Sequence, residues 1–437
     1  MTTTRKAFAA LGFILVLAAP PARLHAQGPG EVVSVPVRQF RLKGLARWGL
    51  DLLFEERGRV FIAASSDDIA ALARARVAFA FETARFAPAA AAGISAAGGL
   101  NGAYHSSLEL ETELRLLESA HPAIAAVREI GRSLEGRPIY ALKVSDNPAL
   151  DEAEPAFLVL GCHHAREWIS VEVPLLYARH LLESYASDPA ARDLVDRGET
   201  WIVPLVNPDG LEYSIHVYRY WRKNRRANAD GSFGVDLNRN YGHMWGCDDQ
   251  GSSPEPASAV YRGPAPFSEP ESDSVRRLFL GRDFRAVVSY HSYSQVILYP
   301  WAYADLPCPD DAAFDDLART MSGLMAAHRG TVYAYGRSAG GIGYTSNGET
   351  CDWTYAAAGV PSFTVELPPE DADEGGFFND EAEIEAIFRE NLPALLFLAG
   401  QAFGTAPPAE PRRPALDRRP KAPSLGNLFR WLTFPVR

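Results

Sequence analysis

The sequence predicts an α/β protein with a mixed β-sheet flanked by helices, preceded by a small α+β N-terminal region. Three observations lead there. Between Tyr104 and about Phe403, amphipathic helical stretches alternate with apolar runs of strand length. Residues 27–86 hold a strand, a capped helix and an alternating strand of their own. Between the two units, residues 87–102 turn to Ala and Gly with little charge, a composition that buries too little to order itself and reads as a linker.

In chain order, Arg5 and Lys6 precede an apolar run from Ala7 to Ala19, and small residues follow near Ala22 and Ala26. Residues 1–26 therefore read as a secretory signal peptide, and the expected location is secreted or periplasmic. Cleavage after Ala26 would remove Arg5, Lys6 and Arg23 and no acid, moving the formal charge from -11 to -14. That balance argues against a nucleic-acid partner, and no later segment reads as transmembrane. In residues 27–86, Arg59–Ala63 reads as a strand, Ser66-Asp67-Asp68 as an acidic N-cap for a helix carrying Ile69, Leu72 and Ala73, and Val77–Phe81 as a second strand.

The main domain, residues 103–403, opens with an amphipathic helix over Glu109–Ser119. Strands are expected at Ala156–Leu160, Trp201–Val206, Ala286–Tyr290 and Ser362–Val365, and a helix at Val171–Tyr185. Each strand runs into polar residues, and ligands of open α/β sheets gather at strand ends. The tail, residues 404–437, alternates Pro with Arg412, Arg413, Arg418, Arg419 and Lys421, then closes on Leu425, Leu428, Phe429, Trp431, Leu432 and Phe434. Such a tail suits either an anionic membrane surface or a fold-back onto the body. Of the four cysteines, Cys247 and Cys308 are candidates for a bridge, while Cys162 and Cys351 read as small buried apolar residues. A monomer is expected.

The strand through Phe157 leads directly into Gly161-Cys162-His163-His164-Ala165-Arg166-Glu167-Trp168. His164 and Glu167 stand three apart, which lets an imidazole and a carboxylate converge on one cation, and a catalytic zinc takes three protein ligands. His291, after the apolar strand Ala286–Tyr290, is the candidate third. The spacing alone is commonplace among surface residues; the position after buried strands sets these apart.

The segment His164-Ala165-Arg166-Glu167-Trp168 resembles the zinc signature of the metallocarboxypeptidases related to carboxypeptidases A and B and to bacterial carboxypeptidase T. Further motifs follow in that family's order: Trp221-Arg222-Lys223, Asp236-Leu237-Asn238-Arg239-Asn240, His291-Ser292-Tyr293, Tyr344 ahead of Asp352-Trp353, and Phe363-Thr364-Val365-Glu366-Leu367. The resemblance extends from about Tyr104 to about Gly400. It implies a mixed, mostly parallel twisted sheet and one Zn2+ per chain on His164, Glu167 and His291. Glu366 would be the general base acting on a zinc-activated water, and Arg222 would face the developing oxyanion while Lys223 turns to solvent. Peptide or protein C-termini would be the substrates, with Arg239 anchoring the terminal carboxylate in bidentate fashion, helped by Asn238, Tyr344 and Arg166. Asp236 is the candidate partner of the distal nitrogen of His164, or else simply a turn-forming aspartate.

Ser346, Glu349 and Cys351 match the pocket for the terminal side chain. A neutral Cys351 stands where members selective for Lys or Arg carry an acid, while Glu349 stands where some bacterial relatives of dual specificity carry an aspartate. The expected preference is therefore broad: hydrophobic or aromatic ends, with basic ends also accepted. Asp305 is a further candidate for this pocket. Residues 27–86 correspond, by strand and helix order only, either to an inhibitory prodomain or to a folding aid. Two rival functions remain: a peptidoglycan amidase or N-acyl amino acid deacylase on the same scaffold, and a non-catalytic binding protein. The Asn238-Arg239 pair and Tyr344 argue against the first, and retention of every ligand and of Glu366 against the second.

Overall fold

The computed structural model describes residues 31–42, 45, 50–56, 58–64, 66–82, 100–339, 344–370 and 375–404. The expected signal peptide, most of the linker and the tail beyond Gly404 lie outside the described residues.

The N-terminal unit comprises β1 (Glu31–Pro36), α1 (Val37–Leu42), β2 (Asp51–Glu56), β3 (Arg59–Ala64), α2 (Ser66–Arg74) and β4 (Ala80–Phe81). Its antiparallel sheet runs β2-β3-β1-β4. Strand alternation gives the sheet two apolar faces. Val33, Val35 and Ile62 point toward α2, joining Leu72 and Val77, whereas Val32 and Phe61 point the other way. The strand expected over Val77–Phe81 forms only at its end, because the Val77 amide closes α2 by donating to the Leu72 carbonyl at 2.9 Å.

The main domain starts with α3 (Ser107–Ala120), held at its N-terminus by a capping box between Ser106 and Glu109. Then come β5 (Ala125–Arg132), β6 (Pro138–Val144), β7 (Ala156–Leu160), α4 (Ile169–Ser184), α5 (Pro189–Arg197), β8 (Glu199–Val203), α6 (Pro208–His216) and α7 (Pro270–Leu280). The chain finishes with β9 (Phe284–Ser292), β10 (Val296–Tyr299), α8 (Asp311–Arg329), β11 (Ala334–Arg337), α9 (Thr350–Ala358), β12 (Ser362–Leu367) and α10 (Ile384–Gly404). The sheet order is β11-β10-β12-β9-β7-β8-β6-β5. The central pairs β12–β9, β9–β7 and β7–β8 are parallel, as is β10–β11, and the remaining pairs are antiparallel. No described helix is long and apolar enough to cross a membrane.

Helices cover both faces, which explains why the central strands read as continuous apolar runs. On β7, Phe157 and Val159 enter the core built with α3, α4, α8 and α10, while Ala156, Leu158 and Leu160 enter the core beside α7 and α9. The expected strand over Trp201–Val206 is displaced toward its start, since Pro204 has no amide to donate, and Glu199 begins it instead. Glu199 tolerates burial because Lys143 Nζ lies 2.5 Å from its Oε1 and Trp201 Nε1 donates to its Oε2 at 2.8 Å.

All four cysteines are free, which corrects the expected Cys247–Cys308 bridge. Cys308 is packed into the core with Phe314 and Tyr355, whereas Cys247 sits exposed. Cys162 and Cys351 are buried, as expected of small apolar residues.

Candidate active site

Three parallel strands deliver the site. β7 ends at Leu160, and the turn that follows is too crowded for a side chain at Gly161, whose Cβ would stand 2.1 Å from the Ser170 carbonyl oxygen. Cys162 then takes a left-handed φ of 52°, held by its amide donating to Ser170 Oγ at 3.1 Å and its carbonyl accepting from Asn207 N at 3.1 Å. This turn aims successive histidines differently. His163 goes into the core, 2.8 Å from the Tyr241 hydroxyl, where burial and the nearby imidazoles hold it well below the usual histidine range.

His164 goes the other way, to meet Glu167 and His291. His164 Nδ1 lies 2.9 Å from Glu167 Oε1, His291 Nδ1 lies 3.0 Å from Glu167 Oε2, and the two Nδ1 atoms are 3.1 Å apart. Burial opposes the charge on Glu167, but the two imidazoles outweigh it and hold the carboxyl well below its ordinary range. These three donors fit zinc, since corners about 3 Å apart suit a tetrahedral ion with ligands at about 2.0–2.2 Å. Two imidazoles and one carboxylate are also the donor set of a catalytic rather than a closed structural site. The distal nitrogens are engaged as well: His164 Nε2 is 3.1 Å from Asp236 Oδ1, and His291 Nε2 is 3.2 Å from Ser289 Oγ.

Asp236 both opens a turn and stands beside His164. Its Oδ1 accepts from Asn238 N at 3.0 Å, opening a short 3-10 turn over Leu237–Arg239, while also facing His164. Its Oδ2 accepts from Arg222 Nε at 3.1 Å and Nη2 at 2.9 Å. Burial works against ionisation here, yet Arg222, His164 and Arg239 hold Asp236 well below the usual carboxylate range. Arg222 is thereby fixed with Nη1 3.8 Å from Glu167 Oε1. Lys223 does not turn to solvent as expected: it is buried, and its Nζ donates to the carbonyls of Pro256 at 2.9 Å and Ser258 at 2.8 Å.

Glu366 lies within β12 and pairs in register with His291 of β9, both strands running further than expected. Burial pushes its carboxyl up to about 8; His291 and Arg222 pull it down, and Glu167 and Glu349 add to the rise. Its Oε2 is buried with no hydrogen-bond partner among the described residues.

Arg239 is fully sequestered, with Nε donating to the Gly251 carbonyl at 2.9 Å and Nη1 to the Asn238 carbonyl at 2.8 Å. Nη2 carries no hydrogen bond among the described residues. The exposed ring of Tyr344 stands 5.7 Å from its guanidinium carbon. Gly348, at φ 70°, lets the chain pass close to Arg239, because a Cβ there would stand 2.5 Å from the Arg239 carbonyl oxygen. Asn238 turns its Oδ1 to Thr350, accepting from N at 2.9 Å and Oγ1 at 2.8 Å, and leaves Nδ2 3.5 Å from His291 Nε2. Glu349 is buried beside this arginine. Burial raises its carboxyl, Arg239 and Ser346 oppose the rise, Ser346 Oγ donates to Oε2 at 2.8 Å, and Oε1 has no partner among the described residues. Cys351 Sγ contacts Thr364 Oγ1 at 3.2 Å, and burial pushes its thiol up. Asp305 is instead a surface residue, 3.2 Å from Arg337. Arg166 is buried with its guanidinium 4.2 Å above the Phe377 ring.

The sequence reading missed Ser289, the Gly251 carbonyl and Phe377. Ser289 was within reach, because it stands two residues before His291 on the same strand face. Gly251 and Phe377 come from irregular chain with no periodic signal.

Fold and site together define an α/β metallohydrolase. A family model described as zinc carboxypeptidase matches residues 110–394. Among curated proteins, a zinc carboxypeptidase of Saccharothrix mutabilis subsp. capreolus is 33% identical over 308 residues, spanning 68% of this chain and 69% of that protein. Carboxypeptidase A1 of Rattus norvegicus is 34% identical over 296 residues, 67% of this chain and 68% of its own. Among solved structures, thrombin activatable fibrinolysis inhibitor aligns at a TM-score of 0.71 with 26% identity, covering 86% of this chain and 99% of its own. The carboxypeptidase A from Helicoverpa armigera also gives 0.71, at 25% identity over 87% and 99%. The chain belongs to the zinc carboxypeptidase family and is a metallocarboxypeptidase, a hydrolase acting on peptide C-termini.

Proposed function

We propose that this chain is a secreted exopeptidase in which His164, Glu167 and His291 hold zinc, Glu366 is the general base, and Arg239 anchors the substrate's terminal carboxylate. The observation that carries this reading is the convergence of three buried donors within 3.1 Å of one another, next to a carboxylate on the neighbouring strand. Bound zinc would supply Lewis acidity, lowering the pKa of a coordinated water from about 15.7 to about 7 and polarising the scissile carbonyl. Glu366 takes the proton of the attacking water and hands it to the departing nitrogen. Burial raises this carboxyl in the metal-free site, and a nearby cation favours its charged form, so bound zinc would favour the carboxylate that the step needs. Arg222, braced by Asp236, presents Nη1 toward the developing oxyanion, where one fixed donor is typically worth about 2.7–4 kcal/mol.

Arg239 offers Nη2 to the terminal carboxylate, with Tyr344 closing over it and Asn238 and Arg166 completing the polar lining. Ser346, Glu349 and Cys351 form the base of the side-chain pocket. Hydrophobic and aromatic ends are accepted there, and the partnerless Oε1 of Glu349 also receives a cationic end. The reading of residues 27–86 as an inhibitory prodomain rests on the Val32 and Phe61 face. It packs on Phe377, with Tyr220 and Tyr293 against the same cluster, and Phe377 in turn carries Arg166. Secretion rests on the signal-like residues 1–26, and a single chain suffices for the chemistry.

The test is to remove residues 27–100, incubate the remainder with peptides of varied C-terminal residue, with and without a chelator, and read products by mass spectrometry. Stepwise, chelator-sensitive loss of single C-terminal residues is expected. No loss despite bound zinc, or equal cleavage of C-terminally amidated peptides, would move the assignment to the amidase or deacylase alternative.

A further inference from the structure

At the opposite ends of β7, β9 and β12 from His164, His291 and Glu366 lies a groove of about 940 Å3. Phe279, Leu317, Val360 and Leu398 give it an apolar floor. One rim is acidic: Asp151, Glu152 and Glu154 line the groove, and the carboxylates of Asp146, Glu152 and Glu154 come within 4.8 Å of one another. The bases nearby are already committed. Lys143 pairs with Glu199, Arg282 with Asp151 and Arg285 with Asp283, so Asp146, Glu152 and Glu154 have no ion pair among the described residues. Glu152 Oε2 and Glu154 Oε2 are buried without a hydrogen-bond partner among the described residues. Burial raises the Glu154 carboxyl, and the charges on Glu152, Asp146 and Glu199 raise it further against the pull of Lys143.

The same groove is lined by Gln401 and Ala402, in the last turn of α10, which ends at Gly404. The chain that continues from there carries what the groove lacks: first Arg412, Arg413, Arg418, Arg419 and Lys421, then Leu425, Leu428, Phe429, Trp431, Leu432 and Phe434. At roughly 3.3–3.6 Å per extended residue, the stretch from Gly404 to Arg412 can reach about 26–29 Å, and it starts two residues after Ala402 of the groove lining.

We propose that residues 405–437 fold back in cis onto this groove, the basic segment against Asp146, Glu152 and Glu154 and the apolar end along the floor. The tail is then a strap on the face away from the catalytic cleft, and its basic residues are withdrawn from anionic surfaces.

Trypsin supplies the test on the full chain, since Arg412, Arg418 and Lys421 are cleavable sites not followed by proline. Cleavage there is expected to be slow in the native chain and at least tenfold faster in the E152K/E154K variant and in W431D/F434D. Peptidase activity should not change. Equal cleavage in all three proteins would overturn the proposal. So would protection that requires vesicles of anionic phospholipid, which makes a membrane the occupant, or protection that grows with protein concentration, which makes it a second copy. A calcium-dependent rise in thermal midpoint lost in E152K/E154K, with tail cleavage unaltered, would make the acidic rim a cation site instead.

Discussion

Glu366 and His291 are register partners across the parallel strands β12 and β9, so the proposed base and a proposed metal ligand leave the same face of the sheet side by side. Their separation is set by the spacing of paired strands rather than by any loop. Glu366→Gln keeps the shape and removes the basicity. It should retain zinc by elemental analysis while kcat falls about 10²–10⁴-fold; undiminished turnover would remove Glu366 from the mechanism.

The same carboxylate makes metal-free stability depend on pH. Its ordinary value of 4.5 is raised to about 8 in the folded chain, so the native state favours the protonated form. That contribution is fully present below pH 4.5 and is lost as pH rises through about 8. After chelation, the thermal midpoint should fall over this window more steeply in the native protein than in E366Q. Adding zinc should shrink the difference, because a nearby cation favours the charged form. Parallel curves for the two chelated proteins would show that Glu366 titrates normally.

Asp236 braces both His164 Nε2 and the Arg222 guanidinium. Asp236→Asn should weaken zinc binding about 10–100-fold, measured by competition with a chromophoric chelator. kcat should fall as well, because Arg222 loses its charged partner. Unchanged zinc affinity would reduce Asp236 to a turn residue.

In the side-chain pocket, Glu349→Gln should lower kcat/KM for peptides ending in Lys or Arg at least tenfold while leaving those ending in Leu or Phe within about twofold. One charge-assisted hydrogen bond, worth about 1.5–3 kcal/mol, underlies that figure. An equal loss for both classes would mean that Glu349 supports Arg239 rather than reading the substrate.

For the N-terminal unit, Phe61→Asp places a charge in the cluster shared with Val32 and Phe377. If this unit keeps the enzyme latent, the intact chain carrying that change should hydrolyse peptides faster than the native chain, at a rate approaching the chain lacking residues 27–100. Equal and full activity in the native and variant chains would favour the folding-aid alternative.

Much of this was legible in the sequence because its physics is local. Central strands buried on both faces must be apolar throughout, so Ala156–Leu160 and Ala286–Tyr290 were readable, and so was the polar chemistry following them. His164 and Glu167 were legible as a pair because they stand three positions apart within one turn. The sequence also determined the charge balance and the basic-then-apolar order of the last residues. Where strands stop was not legible: β9 and β12 run on to include His291 and Glu366 because pairing partners, not propensity, set their length. The pairing of β1 and β2 on either side of β3, the burial of Lys223 and the free state of Cys247 and Cys308 were likewise decided by residues distant in sequence. Tertiary structure alone brought Asp236 to two partners at once and set the acidic groove beside the end of α10. Each depends on chain segments that meet only when the sheet closes, and no local pattern encodes such a meeting.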